Sequence, residues 1–286
     1  MKREKDFHLS DPTWCPGCGI YALFAALKMA AVELDLDSEE TVVVTGIGCH
    51  GRLNNHFRSF GFHALHGRTL PLASGIKLSN PRLSVLSISG DGDAYSIGVG
   101  HFIHVLRKNI DITYLVVDNR LFALTQGQSS PTSPFGFVSV SAPFGTKELP
   151  LDGPRLALAS GGTFIARGFS GQPKKLASLI EKGIQHKGFS FIEVLSPCVT
   201  HNKIITAQWF KEHISYLDED PGYDPRDRKQ AWEKLIKEDK IPVGLIYAEE
   251  RATYGELVLP EKDHPLAGND LGLDVNRFER ILEEFQ

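Results

Sequence analysis

Two segments of this chain set an acid or an amide among residues suited to phosphate and metal chemistry. In Ser89-Gly90-Asp91-Gly92-Asp93, glycines on either side of Asp91 let a phosphate approach the backbone N–H groups, and the carboxylate offers oxygen to a hard cation such as Mg2+. Asp118-Asn119 supplies a second oxygen donor, with 26 residues between Gly92 and Asn119. Each segment follows an apolar, β-branched run, LSVLSI or ITYLVV, and so stands where a strand should end. Ligands of open α/β sheets bind outside the carboxyl ends of the strands, where a following helix adds free N–H groups and its positive dipole end. A Gly-Asp-Gly by itself is a common turn; its place between a strand and a helix is what points to a phosphate.

The second chemistry-bearing set is four cysteines. Cys15 and Cys18 flank a Pro-Gly turn in TWCPGCG, just ahead of a predicted helix whose N–H groups favour thiolates. Cys49 follows the run TVVVT at a Gly-Ile-Gly turn, and Cys198 follows FIEVL, so both also belong at carboxyl ends of strands. One edge of one sheet can gather all four, and four thiolates with none left over suit a single [4Fe–4S] cluster. Three other readings stay open on spacing alone. Cys49 and Cys198 can be ordinary buried cysteines, a zinc site built from four cysteines normally shows two short knuckles where this chain has one, and WCPGC also suits a dithiol, although no strand precedes it.

These residues need a scaffold, and the sequence predicts an α/β fold with an open, mostly parallel sheet and helices on both faces. Residues 41 to 45, 83 to 88, 112 to 117, 163 to 166 and 191 to 195 are short apolar runs of the kind found in strands covered on both sides. Residues 20 to 36, 94 to 107 and 173 to 186 have the length and flanks of crossover helices. The stretch 121 to 154, rich in Gly, Pro, Ser and Thr, reads as a long ordered loop. Residues 1 to 205 form the expected domain. Residues 206 to 286, charged and turn-rich with an amphipathic helix at 276 to 285, read as an extension that packs on a partner subunit.

Composition narrows the function. With 286 residues, 42% of them hydrophobic, the chain can bury a large core, and a net charge of −4 with interspersed signs gives no footprint for nucleic acid or an anionic membrane. No apolar stretch is long enough to span a bilayer and the N-terminus lacks a signal-peptide core, so a soluble cytoplasmic protein is expected.

WCPGCG, GIGC, the tripeptide His66-Gly67-Arg68, GDGD and the later SPC occur in the order in which the β subunits of 2-oxoacid:ferredoxin oxidoreductases carry them, and residues 10 to 205 resemble that family. The resemblance implies a thiamine-diphosphate-binding fold, with Cys15, Cys18, Cys49 and Cys198 as ligands of the [4Fe–4S] cluster. It implies Mg2+ held by Asp91, Asn119 and the Leu121 carbonyl, and cofactor contacts from Ile47, Gly48, Cys49, His50, His66, Gly67, Arg68, Gly90, Asp91, Gly92, Asp93, Asn119, Leu121, Phe122, Leu124 and Thr125. The implied reaction converts a 2-oxo acid and coenzyme A to acyl-CoA and CO2, passes electrons to ferredoxin, and can run in reverse. An α subunit with the pyrimidine-binding domain is the implied partner, because the glutamate that activates the thiamine ring has no counterpart in this chain. His66 and Arg52 are the residues expected to act on substrate. A guanidinium three residues past Cys49 suits the distal carboxylate of 2-oxoglutarate. The alternatives are pyruvate or a broad range of 2-oxo acids, a non-redox thiamine-diphosphate decarboxylase or synthase, and a zinc or redox protein binding another phosphate ligand.

Overall fold

The computed structural model describes residues 2–237, 239–259, 265–266 and 275–284. Its strands, in chain order, are β1 (Thr41–Thr45), β2 (Phe60–His63), β3 (Ser84–Gly90), β4 (Ile112–Asp118), the two-residue pieces β5 (Leu121–Phe122) and β6 (Gln128–Ser129), β7 (Phe164–Phe169), β8 (Phe189–Leu195), β9 (Ile214–Tyr216) and β10 (Ile241–Ala248). Eight of them form one sheet in the order β2-β1-β3-β4-β8-β7-β10-β9. All pairs are parallel except β10 with β7, while β5 and β6 make a separate antiparallel hairpin.

Why the strands read as continuous apolar runs is visible in their burial. In β4, Ile112, Tyr114 and Val116 enter one core layer while Leu115 and Val117 enter the other, and β1 divides Val42 and Val44 from Val43 in the same way. Helices Gly19–Glu33 and Pro173–Gln185 cover the second face through Leu23, Leu27, Leu176 and Ile180; helices Thr69–Ser79 and Val99–Lys108 cover the first through Leu70, Ala73, Phe102 and Leu106.

The expected α/β class is observed, with local differences. One helix over 94 to 107 is expected; the chain instead forms Asp91–Tyr95, breaks at Ser96, and restarts at Val99–Lys108. The break lets two loops meet. Gly67, at φ +69°, lies so close to the turn that a Cβ would stand 2.7 Å from the Gly98 nitrogen. Edge strand β2 and helix Thr69–Ser79 lie in a stretch for which sequence patterning gives no element. Beyond residue 205, where an extension is expected, β10 returns to the main sheet and Ile205, Phe210, Ile214 and Val243 form a third small core with Phe169 and Leu195. The predicted C-terminal helix is present as Val275–Glu283; its expected end at Phe285 lies outside the described residues. Among the described residues no helix is long and apolar enough to cross a membrane.

A buried ion network pins the centre of the sheet behind the carboxyl ends. The Arg167 guanidinium on β7 donates to Glu193 Oε2 on β8 at 2.6 Å and to Asp152 Oδ2 at 3.0 Å, and the Tyr95 hydroxyl donates to Glu193 Oε1 at 2.9 Å. Truncating one member of a buried ion pair strands its partners, which costs about 3–5 kcal/mol. Arg167→Ala is therefore expected to lower the stability of the chain by that amount in urea unfolding, and Arg167→Ala with Glu193→Leu to lose less than the single change. Equal losses in the two would count against the network.

Candidate cofactor site

The ends of β3 and β4 are neighbours in the sheet, Gly90 pairing with Val117, so Asp91 and Asp118 emerge side by side. Both are buried. The long loop comes back over them: Ser130 Oγ donates to Asp91 Oδ2 at 2.5 Å, and Thr132 Oγ1 lies 2.7 Å from Asp91 Oδ2 and 2.8 Å from Asp118 Oδ1. One hydroxyl hydrogen serves only one carboxylate at a time, so the pair is short of positive charge. Burial pushes the Asp91 carboxyl up to about 6, against the pull of Ser130 and Thr132. Burial and then the charge of Asp91 push Asp118 up to about 6, against Arg120. Asn119 stands at the same edge, its Oδ1 accepting from the Leu121 N–H at 3.1 Å. Between them Arg120 takes φ +61° and sets its guanidinium over the Trp209 ring, 4.0 Å from Asp118.

Asp93, two residues on, organises the opposite wall. Its Oδ1 accepts from the Gly67 N–H at 2.6 Å and the Ile47 N–H at 3.4 Å, with His66 Nδ1 at 3.1 Å. Gly46 makes this possible, because a Cβ there would lie 1.8 Å from Asp93 Oδ2. Asp93 Oδ2 and His50 Nε2, 3.9 Å apart, are buried without a hydrogen-bond partner. Burial pushes the His50 imidazole down to about 4, so it is neutral at physiological pH. Two unpaired polar atoms in one wall are what a polar ligand group would satisfy.

Asp91, Asp93, His50, His66 and Asn119, with their neighbours in these turns, enclose a cavity of ≈ 80 Å³. Every expected cofactor contact lines it except Gly67, which reaches it only through its bond to Asp93, and Arg68, which turns away to pair with His101; Ala123 joins it unforeseen. Whole small-molecule sites run to about 300–1,000 Å³, so this cavity takes part of a cofactor and leaves the rest to be covered. Three larger cavities, ≈ 410, ≈ 390 and ≈ 330 Å³, open elsewhere. The first, between helix Pro173–Gln185 and β10, and the third, around Lys77 and Asp111, hold neither the Gly-Asp-Gly turn nor a cysteine; the second is lined by Asp118, Arg120, Thr132 and the Asp152–Arg167–Glu193 network. The chemistry therefore favours the small one.

All four cysteines line a neighbouring cavity of ≈ 190 Å³ that shares Cys49, Asn119, Ala123 and Leu124 with the first. Trp14 ties the two halves of the set, its indole N–H donating to the Cys49 carbonyl at 2.8 Å. Burial pushes the Cys18 thiol up to about 11, and the three other sulfurs add to the rise while the Ile20 N–H opposes it. Cys49 is raised by burial first, then by Cys198 and Cys15, with Arg52 opposing. The Cys198 sulfur accepts from the His201 N–H at 3.4 Å. Sulfurs of a tetrahedral zinc site stand about 3.8 Å apart. Among the described residues no three Cys, His, Asp or Glu side chains are placed to share a single ion. Arg52 lies in this second cavity, not the first, with Nη1 donating to Thr13 Oγ1 at 3.0 Å.

Sequence patterning missed Ser130, Thr132 and Trp14. For Ser130 and Thr132 the hydroxyls of SSPT within the long loop are the local sign.

Residues 46–194 match the family described as thiamine pyrophosphate enzyme, C-terminal TPP binding domain, and residues 198–263 match the family described as the C terminal of the pyruvate ferredoxin oxidoreductase beta subunit. The chain is 40% identical over 278 residues to the 2-oxoacid:ferredoxin oxidoreductase subunit beta of Saccharolobus solfataricus, covering 93% of this chain and 91% of that one. It is 42% identical over 198 residues to the 2-oxoglutarate synthase subunit KorB of Archaeoglobus fulgidus, covering 69% and 74%. Its fold superposes with a TM-score of 0.91 and 34% identity, over 98% of this chain and 96% of that one, on a 2-oxoglutarate:ferredoxin oxidoreductase from Magnetococcus marinus with 2-oxoglutarate, coenzyme A and succinyl-CoA bound.

The buried carboxylates give a direct test in the presence of a chelator. Asp91 and Asp118 are raised from 3.8, so their contribution to stability is complete below about pH 4 and is lost as pH rises through about 6. Asp91→Asn should leave thermal stability unchanged at pH 4 and raise it at pH 7.5, by up to about 2–3 kcal/mol. Parallel melting curves across that range would contradict the assignment.

Proposed function

The chain belongs to the β subunits of 2-oxoacid:ferredoxin oxidoreductases, and from that membership we propose that it holds the diphosphate end of thiamine diphosphate through Mg2+ and carries a [4Fe–4S] cluster beside it. The observation that carries this reading is the shared wall: Cys49, Asn119 and Leu124 face both the carboxylate cavity and the cavity of the four thiols. A redox group held by the four thiols would lie directly beside a cofactor held in the first cavity.

Asp91, Asn119 and the Leu121 carbonyl are the proposed Mg2+ ligands, and a divalent cation there supplies the charge that the Asp91–Thr132–Asp118 arrangement lacks. His50 and Asp93 offer their unpaired atoms to the cofactor, and His66, bonded to Asp93 and within 6.0 Å of the Phe122 ring, borders the place where substrate would enter. Thiamine diphosphate supplies a nucleophilic carbon and an electron sink for decarboxylation. Cys15, Cys18, Cys49 and Cys198 hold the cluster, whose irons offset the mutual repulsion that raises Cys18 and Cys49. The full reaction consumes a 2-oxo acid and coenzyme A and releases acyl-CoA, CO2, a proton and two electrons, which pass to ferredoxin. An α subunit brings the pyrimidine-binding half of the site.

The favoured substrate is 2-oxoglutarate. Arg52 stands at the junction of the cysteine knuckle and the GIGC turn with Thr13 as its hydrogen-bond partner, a neutral contact that a distal carboxylate can displace in favour of a bidentate pair. Pyruvate or a broad range of 2-oxo acids is the second reading, because the Arg52–Thr13 bond also serves to tie the two cysteine-bearing turns together.

The deciding assay is coenzyme-A-dependent reduction of a low-potential viologen by the anaerobic complex, with 2-oxoglutarate and pyruvate in parallel. Arg52→Leu is expected to raise KM for 2-oxoglutarate at least tenfold and leave pyruvate kinetics within twofold; equal effects on both would assign Arg52 to the cysteine turns alone. Cys15→Ala should remove most of the iron and the visible absorption of the purified complex. Iron retained in full would remove Cys15 from the ligand set.

A further inference from the structure

The loop that carries Cys198 reaches the cation site as well as the thiols. Asn202, in that loop and 2% exposed, uses its amide in two directions. Its Oδ1 accepts from the backbone N–H groups of Ile204 and Ile205 at 3.3 and 2.9 Å, closing a turn within its own loop. Its Nδ2 donates to the Asn119 carbonyl at 3.3 Å, across 83 positions of chain. The same loop is tied to its cysteine, because Asn202 N–H donates to the Cys198 carbonyl at 3.1 Å and His201 N–H to the Cys198 sulfur at 3.4 Å. One buried side chain thus joins the thiol-bearing loop to the end of β4.

We propose that Asn202 is a positioning residue for the Asn119 turn, and that through it occupancy of the cysteine set and occupancy of the cation site are coupled; the inference rests on the cofactor reading above. The turn needs holding. Arg120, at φ +61°, stands between Asn119 and Leu121, the two proposed ligands, and a non-glycine residue keeps that conformation only where its surroundings fix it. Arg120 N–H donates to Asp118 Oδ1 at 3.0 Å, Ser133 Oγ donates to the Arg120 carbonyl at 2.7 Å, and Asn202 holds the peptide between them from the cysteine side. A second contact lies next to it in sequence. Gly127, at φ +89°, is so close to His201 that a Cβ there would stand 3.0 Å from the His201 Cβ. Residues 201 and 202 therefore meet both ends of the segment 119 to 127, whose middle lines the cofactor cavity. On its other side the loop sets Val199 against Gly17, between Cys15 and Cys18, with the Val199 Cγ1 3.7 Å from where a Cβ would lie.

The coupling follows from these contacts. A group held by all four thiols ties Cys198 to the N-terminal knuckle and to Cys49, and so fixes residues 199 to 202 against the Asn119 turn. A chain stripped of that group loses the restraint and holds Mg2+ and thiamine diphosphate less tightly. Reciprocity then requires bound Mg2+ and thiamine diphosphate to favour cluster binding by the same factor.

The test uses the purified anaerobic complex and measures, by equilibrium dialysis, the Mg2+ concentration that half-saturates thiamine diphosphate binding, beside the iron content. Asn202→Ser keeps a side-chain acceptor for the Ile204 and Ile205 N–H groups but is too short to reach the Asn119 carbonyl, whereas Asn202→Ala removes both functions. With that buried carbonyl left unpaired, Asn202→Ser is expected to retain wild-type iron and to need at least about fivefold more Mg2+. Stripping the cluster with a chelator should raise the Mg2+ requirement of wild type at least threefold and that of Asn202→Ser less than twofold. A residue that only shapes its own loop is rescued by serine, so wild-type Mg2+ dependence in Asn202→Ser would overturn the proposal and leave the cofactor reading standing. Iron lost from Asn202→Ser as fully as from Asn202→Ala would overturn it too, as would stripping that acts equally on wild type and Asn202→Ser. A wild-type complex that binds neither iron nor thiamine diphosphate would overturn the underlying reading together with this one.

Discussion

Two buried carboxylates, Asp91 and Asp118, placed side by side at the ends of adjacent parallel strands are the electrostatic constraint around which this molecule is arranged. Among the described residues Arg120 stands 4.0 Å from Asp118, while Asp91 is met by the Ser130 and Thr132 hydroxyls and by backbone N–H groups of its own turn. An arrangement of this kind is costly in an isolated chain, because each buried carboxylate makes the other harder to ionise. The left-handed backbone of Arg120, stacked on Trp209 and close to Phe210, shows how firmly the surrounding loop is held while the carboxylates wait.

The rest of the architecture delivers groups to that edge. Parallel strands end together, so β1, β3, β4 and β8 bring Cys49, Asp91, Asn119 and Cys198 to one side of one sheet although they span about 150 positions of chain. The N-terminal knuckle arrives separately and is fastened by Trp14 to the Cys49 carbonyl and by Thr13 to Arg52. Behind the edge, the Arg167–Glu193–Asp152 network and the return of β10 anchor the strands that must not shift if four sulfurs are to stay in register. Residues after 205 thus support the site from behind, through the sheet and a small core of their own.

Belonging to a family of β subunits also explains what is incomplete. A small cavity with an exposed rim is what one half of the proposed shared site would present.

Much of this was legible in the residues themselves. The two-sided apolar strands, the Gly-Asp-Gly turn after one of them, the amide after the next and the count of four cysteines are local patterns, and local patterns follow from backbone periodicity and from the chemistry of single side chains. That is why the sheet class follows from the residues, whereas the set of residues now seen to line the small cavity follows from the family resemblance of the motifs and not from periodicity. What only the tertiary structure decided are contacts between residues far apart in the chain. Ser130 and Thr132 meet Asp91 from some forty positions away, Arg52 falls on the cysteine side of the dividing wall, the expected helix breaks so that Gly67 can approach Gly98, and β10 enters the sheet antiparallel. No periodicity encodes these, because the path of a long loop is set by which buried polar groups it must satisfy once the sheet is formed.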